Sequence, residues 1–104
     1  MQAQGPSETI TPRPARGDEQ LVEATETGLT GLALRHPSVR HFGPLFAYGQ
    51  LPVHLRTVSK SVAELAAVAC NLLADGPELA AGLRKLREAK DCLVTQAVID
   101  SHTE

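Results

Sequence analysis

The stretch "LPVHLRTVSKSVAELAAVACNLLADGPELAAGLRKLREAKDCLVTQAVID", residues 51–100, decides the fold. Pro52 suits the first turn of a helix, where its missing N–H is not needed. Leu55, Val58, Val62, Leu65, Ala69 and Leu72 follow at spacings of 3, 4, 3, 4 and 3, a heptad-like apolar seam. The pattern predicts a helix to about Leu73, roughly 33 Å long. "ADGPE" then interrupts it. Asp75 is placed to cap a second helix, with Glu78 as the other half of a capping box and Pro77 in the tolerated first turn. The second helix is expected from about Gly76 to Asp100, on a seam of Leu79, Leu83, Leu86, Lys90, Leu93 and Ala97. So short a connection makes the helices antiparallel neighbours.

The expected fold class is therefore all-α: an antiparallel helical hairpin with an irregular or partly helical N-terminal segment, assembled as an oligomer. A chain of 104 residues sets a prior of one domain. Residues 1–40 read as a tail and 41–104 as the hairpin domain. In residues 1–17, three prolines and two glycines with little apolar periodicity indicate flexibility. Residues 18–30 are expected to form a short helix capped by Asp18, with Leu21 and Val22 on its apolar face, ending before Gly28. Residues 31–50 read as irregular, with Phe42, Phe46 and Tyr48 the chain's three aromatics. One hairpin buries too little surface to be stable alone, so a homo-oligomer, from dimer to hexamer, is expected through helix packing.

Composition excludes several classes. Net charge is −2, so bulk attraction to a nucleic acid polymer or an anionic membrane is not expected. No run approaches 18 apolar residues, and no basic region followed by an apolar one opens the chain. A cytoplasmic location follows by default. Cys70 and Cys92, placed on the two arms, lie roughly 15 Å apart along the axis, too far for a disulfide, and read as reduced, buried small hydrophobes. The histidines are His36, His41, His54 and His102, and they lack metal-ligand spacing. No serine–histidine–acid grouping, paired buried carboxylates or phosphate loop is visible, so no catalytic residue, cofactor or metal is expected and the chain reads as a non-enzyme.

The seam carries one anomaly. Lys90 occupies a core position, where its stem either lies along the seam with its head in solvent, a small helix rotation putting Ala89 inward instead, or reaches into a pocket to meet an anion. Counting back from the turn, Lys60 and Arg56 fall opposite it, near the N-terminus of the first helix, where unpaired N–H groups favour negative charge. Tyr48 precedes that N-terminus, and an aromatic face beside such a pocket suits a base attached to a phosphate. Arg84–Glu88 and Arg87–Asp91 are i,i+4 pairs, worth roughly 0.2–0.5 kcal/mol each.

"FAYGQLPVHLRTVSKSVAELA", residues 46–66, followed by "DGPELAAGLRKLREAKDCLV", residues 75–94, resembles the small hairpin proteins of bacteriophages that act as cyclic-nucleotide sponges, the anti-CBASS and anti-Thoeris proteins. The similarity spans about residues 42–100. It implies a helical oligomer in the host-cell cytoplasm that captures cyclic nucleotide immune signals between subunits without cleaving them. It implies Tyr48 stacking on a base, and Arg56, Ser59, Lys60, Arg84, Lys85 and Lys90 near phosphate. A nanomolar sponge must gain about 12 kcal/mol on binding, within reach of charge-assisted hydrogen bonds and stacking pre-arranged by rigid helices. The alternative is a small oligomeric helical adaptor whose seam binds a partner helix.

Overall fold

The computed structural model describes residues 21–102; the tail expected over 1–17 and the Asp18 cap lie outside them. The described chain is mostly helical with one small two-stranded sheet. Two long helices, α2 (Val53–Leu72) and α3 (Pro77–Ser101), form the expected antiparallel hairpin. The segment before them differs from expectation. Residues 23–30 form a β-hairpin and not a helix, β1 (Glu23–Thr25) paired with β2 (Gly28–Thr30). A four-residue helix, α1 (Pro37–Arg40), and a 3-10 turn, Pro44–Phe46, follow.

Gly28 and close backbone docking explain why the strand geometry wins. Gly28 has φ +122, and a Cβ there would lie 2.2 Å from the Gly43 carbonyl oxygen, so only glycine fits. The Leu29 N–H donates to that same carbonyl at 2.9 Å. Thr25 Oγ1 donates to the Gly28 carbonyl across the turn. The turn's Glu26 carbonyl accepts from the N–H groups of Tyr48 (3.1 Å) and Gly49 (2.9 Å). Asn71 of α2 acts as a neighbouring strand residue: the Val22 N–H donates to Asn71 Oδ1 at 2.8 Å, and Asn71 Nδ2 donates back to the Val22 carbonyl at 2.9 Å.

The packing does not stop at residue 40. Val22, Leu29, Leu32, Val39, Phe42, Phe46 and Tyr48 form one wall of the core, and Ala63, Ala66, Ala67, Cys70, Leu79 and Leu83 of the long helices form the other. The buried face of α2 is consequently turned from the expected seam. Leu55, Ser59, Ala63, Ala66, Ala67 and Cys70 are buried, whereas Leu65 is 53% exposed. Small side chains on that face let the bulky N-terminal wall approach the helix closely, so periodicity of large residues alone misplaces the stripe.

The turn between the helices is also wired differently. Gly76, not Asp75, occupies the cap position of α3, and no side chain caps it. The Asp75 carboxylate faces the N-terminal layer instead. It accepts from Arg35 Nε and from the His36 N–H, both at 2.7 Å. The same guanidinium donates to the carbonyls of Cys70 (2.9 Å) and Leu73 (3.1 Å) at the end of α2. Those carbonyls have no onward helical partner, so Arg35 closes the helix end while tying the two layers together.

Candidate functional site

The seven residues singled out from sequence separate into two groups. Four are engaged within the fold. Tyr48 is 7% exposed in the core and offers no open face for stacking. Arg56 donates from Nε to the Leu51 carbonyl at 2.8 Å and from Nη2 to the Gly49 carbonyl at 3.1 Å, fastening the loop ahead of α2. Ser59 is fully buried, and its Oγ meets no hydrogen-bond partner.

Lys90 follows neither alternative posed by its seam position. Its Nζ donates to the Leu45 carbonyl at 2.9 Å, lies 6.0 Å from the centre of the Phe46 ring and 3.8 Å from Asp91 Oδ1. Its side chain is 12% exposed. The ammonium thus anchors the 3-10 turn to α3, its charge met by a carbonyl, an aromatic face and a carboxylate.

Lys60, Arg84 and Lys85 are the other group. They are exposed, and among the described residues none of them makes a hydrogen bond or ion pair. The expected Arg87–Asp91 pair forms, at 3.9 Å, while no ion pair joins Arg84 to Glu88.

Arg84 stands in a surface groove of about 450 Å³ between α3 and the segment following α1. Phe42 and Leu45 give it an apolar floor, His41 and Arg87 line it beside Arg84, and Glu88 and Asp91 complete the rim. Asp91 faces both Arg87 and Lys90, which leaves Arg84 as the unshared cation. The His41 ring packs on Phe42, with centres 4.1 Å apart and a 39° tilt. Its Nδ1 lies 3.1 Å from the Pro37 carbonyl. A carbonyl only accepts, so Nδ1 is the donor in this contact. His41 and Arg87 were not among the candidates from sequence. The signal that could have found them is the adjacency of His41 to Phe42 and the placement of Arg87 one turn from Arg84.

A second groove, of about 420 Å³, is mostly apolar and lined by α2, its C-cap Leu73 and α3, with Glu78 at its edge and no residue of the N-terminal layer in its lining. Among the described residues no three His, Cys, Asp or Glu side chains gather to hold a metal, and no helix is long and apolar enough to cross a membrane. Compared with protein-family models, curated proteins and solved structures, the chain finds no match in any of the three.

Proposed function

We propose that this chain binds and sequesters cyclic oligonucleotide immune signals without cleaving them, as the bacteriophage sponges it resembles do, countering antiphage signalling from the host cytoplasm. The resemblance over residues 42–100 supplies the class. The observation that carries the reading is the groove in which the unshared Arg84 guanidinium adjoins the His41 ring and an apolar floor. Its volume of about 450 Å³ falls in the range of small-molecule sites, roughly 300–1,000 Å³. A guanidinium recognises a phosphodiester bidentately, and an exposed imidazole ring presents a face for a base. Stacking thus falls to His41 in place of the buried Tyr48, and phosphate recognition to Arg84 and Arg87, with Lys60 and Lys85 available where a second subunit brings them near.

The test is a melting series against cyclic di- and trinucleotides. A ligand at a hundredfold excess over its Kd adds about 2.7 kcal/mol, a rise of roughly 10 °C in a domain this small. The expected result is such a rise with at least one member of the panel, lost in Arg84→Glu. Recovery of the nucleotide intact after heat denaturation would exclude an enzyme. No shift across the panel would remove the sponge reading in favour of an oligomeric adaptor, which the uncovered apolar groove between α2 and α3 favours.

A further inference from the structure

We propose that the uncovered face of the hairpin is a two-fold, self-complementary interface in which a second copy of this chain packs α3 antiparallel against α3, crossing at Gly82. The proposal does not depend on nucleotide binding. It starts from a glycine that the fold itself does not require. Gly82 sits inside a 25-residue helix, where glycine is less favourable than alanine, yet a Cβ at this position would meet nothing within 4 Å. Among the described residues no neighbour excludes a side chain there, so the close approach that glycine permits is to something beyond them.

The surroundings identify that neighbour. Gly82 opens onto the mostly apolar groove with Leu65 and Ala69 of α2, Leu73 just after it, and Leu86 of α3. Leu65 is 53% exposed and Leu73 40%, and no charged residue interrupts α2 between Leu65 and Leu72. Exposed leucines gathered on one rigid face favour an apolar partner.

Charge supplies the symmetry. Glu78 and Lys85 are both exposed and flank Gly82 from either side. Seven residues apart, they lie on one face of the helix. A two-fold axis running across the helices at the level of Gly82 lays each α3 antiparallel on its partner and sets Glu78 of each copy against Lys85 of the other. The same operation brings the Leu65–Ala69 turn of α2 against its own copy. One mixed pair thus becomes two identical ones, as an isologous contact requires. The result is a four-helix arrangement with the N-terminal layers on the outside.

Light scattering across a dilution series tests this, with circular dichroism verifying the fold of each variant. Wild-type protein is expected at twice 11.1 kDa or an even multiple of it. Gly82→Gln adds a side chain into open space and is expected to release a folded smaller species. Lys85→Glu sets like charges together twice and is expected to do the same. The double exchange Glu78→Lys with Lys85→Glu is expected to restore the wild-type mass. A monomer at all concentrations overturns the proposal. So does a Lys85→Glu variant that assembles as tightly as wild type, or a double exchange that fails to restore assembly.

Discussion

Arg35 is 8% exposed, and its guanidinium holds Asp75 and the carbonyls of Cys70 and Leu73. Asp75 is partly exposed, so the lasting loss on removing Arg35 is the buried Cys70 carbonyl left without its donor, at a cost of about 1–3 kcal/mol. Arg35→Ala is therefore expected to lower the stability measured by urea denaturation by about that amount. The pair also sets a pH dependence. Burial alone would raise the Asp75 pKa, but the His36 N–H and the hydrogen bond and charge of Arg35 outweigh it and hold the carboxyl below its ordinary value. A depressed carboxylate contributes stability above its unfolded pKa of about 3.9, and that stability is lost as pH falls through the lower folded value. The melting temperature should therefore drop below about pH 4, and Asp75→Asn should flatten that part of the profile. Sequence could not reveal this role, because the partners are 40 residues apart and Asp75 satisfies the local pattern of a helix cap equally well. Ser59 has the opposite character. Its buried, unpartnered hydroxyl carries a desolvation cost of about 1–3 kcal/mol. Ser59→Ala should melt at or above the wild-type temperature, whereas a phosphate-binding Ser59 would show its loss in ligand affinity.

At the scale of elements, legibility followed length. The long helices were visible within two residues at each end, because periodicity over 20 or more positions averages out local ambiguity. Three-residue strands carry too few positions for alternation to register, and their stability comes from docking on Gly43, on the N–H groups of Tyr48 and Gly49, and on Asn71, all distant in sequence. Gly28 is the decisive residue there. Gly28→Ala would place a methyl 2.2 Å from the Gly43 carbonyl at a φ that L residues rarely adopt. A loss of about 2–3 kcal/mol is expected from such strain and displacement, measured by urea denaturation. The helix faces were less legible than the helices. Both cysteines read from sequence as buried small hydrophobes, yet Cys92 is exposed and only Cys70 is enclosed. Burial pushes the Cys70 thiol up, against the influence of Arg35. Since thiolate is the reactive form, a thiol reagent should titrate one cysteine rapidly in native protein and both in denaturant. Rapid reaction at both under native conditions would mean that the N-terminal layer opens readily from α2.

At the scale of the whole molecule, the composition of the core decides what the chain needs in order to fold. The hairpin contributes mainly alanines, one cysteine, Leu79 and Leu83 to the central wall, while the larger side chains opposite come from residues 22–48. Four of them, Val22, Leu29, Leu32 and Val39, precede residue 41. Full burial of a Val or Leu side chain is worth about 1.5–3 kcal/mol, so these four contribute roughly 6–12 kcal/mol, comparable to the entire stability of a typical domain at about 5–15 kcal/mol. A chain beginning at residue 41 also lacks Arg35, leaving Asp75 and the end of α2 without their partner. The sequence suggested a tail followed by a hairpin completed by another subunit, because flexibility and loop signals dominate residues 31–50, and composition does not disclose which side of a helix a loop will cover. The shortened chain is therefore expected to keep helical circular dichroism, bind a hydrophobic dye and melt without a cooperative transition, while the full chain melts in one step. Lower cooperativity should also appear as a smaller urea m-value, because less surface is exposed on unfolding. If the shortened chain instead unfolded cooperatively at the full-length temperature, the second wall of the core would have to come from another subunit, and the layer over residues 21–48 would be a cover on an already stable hairpin.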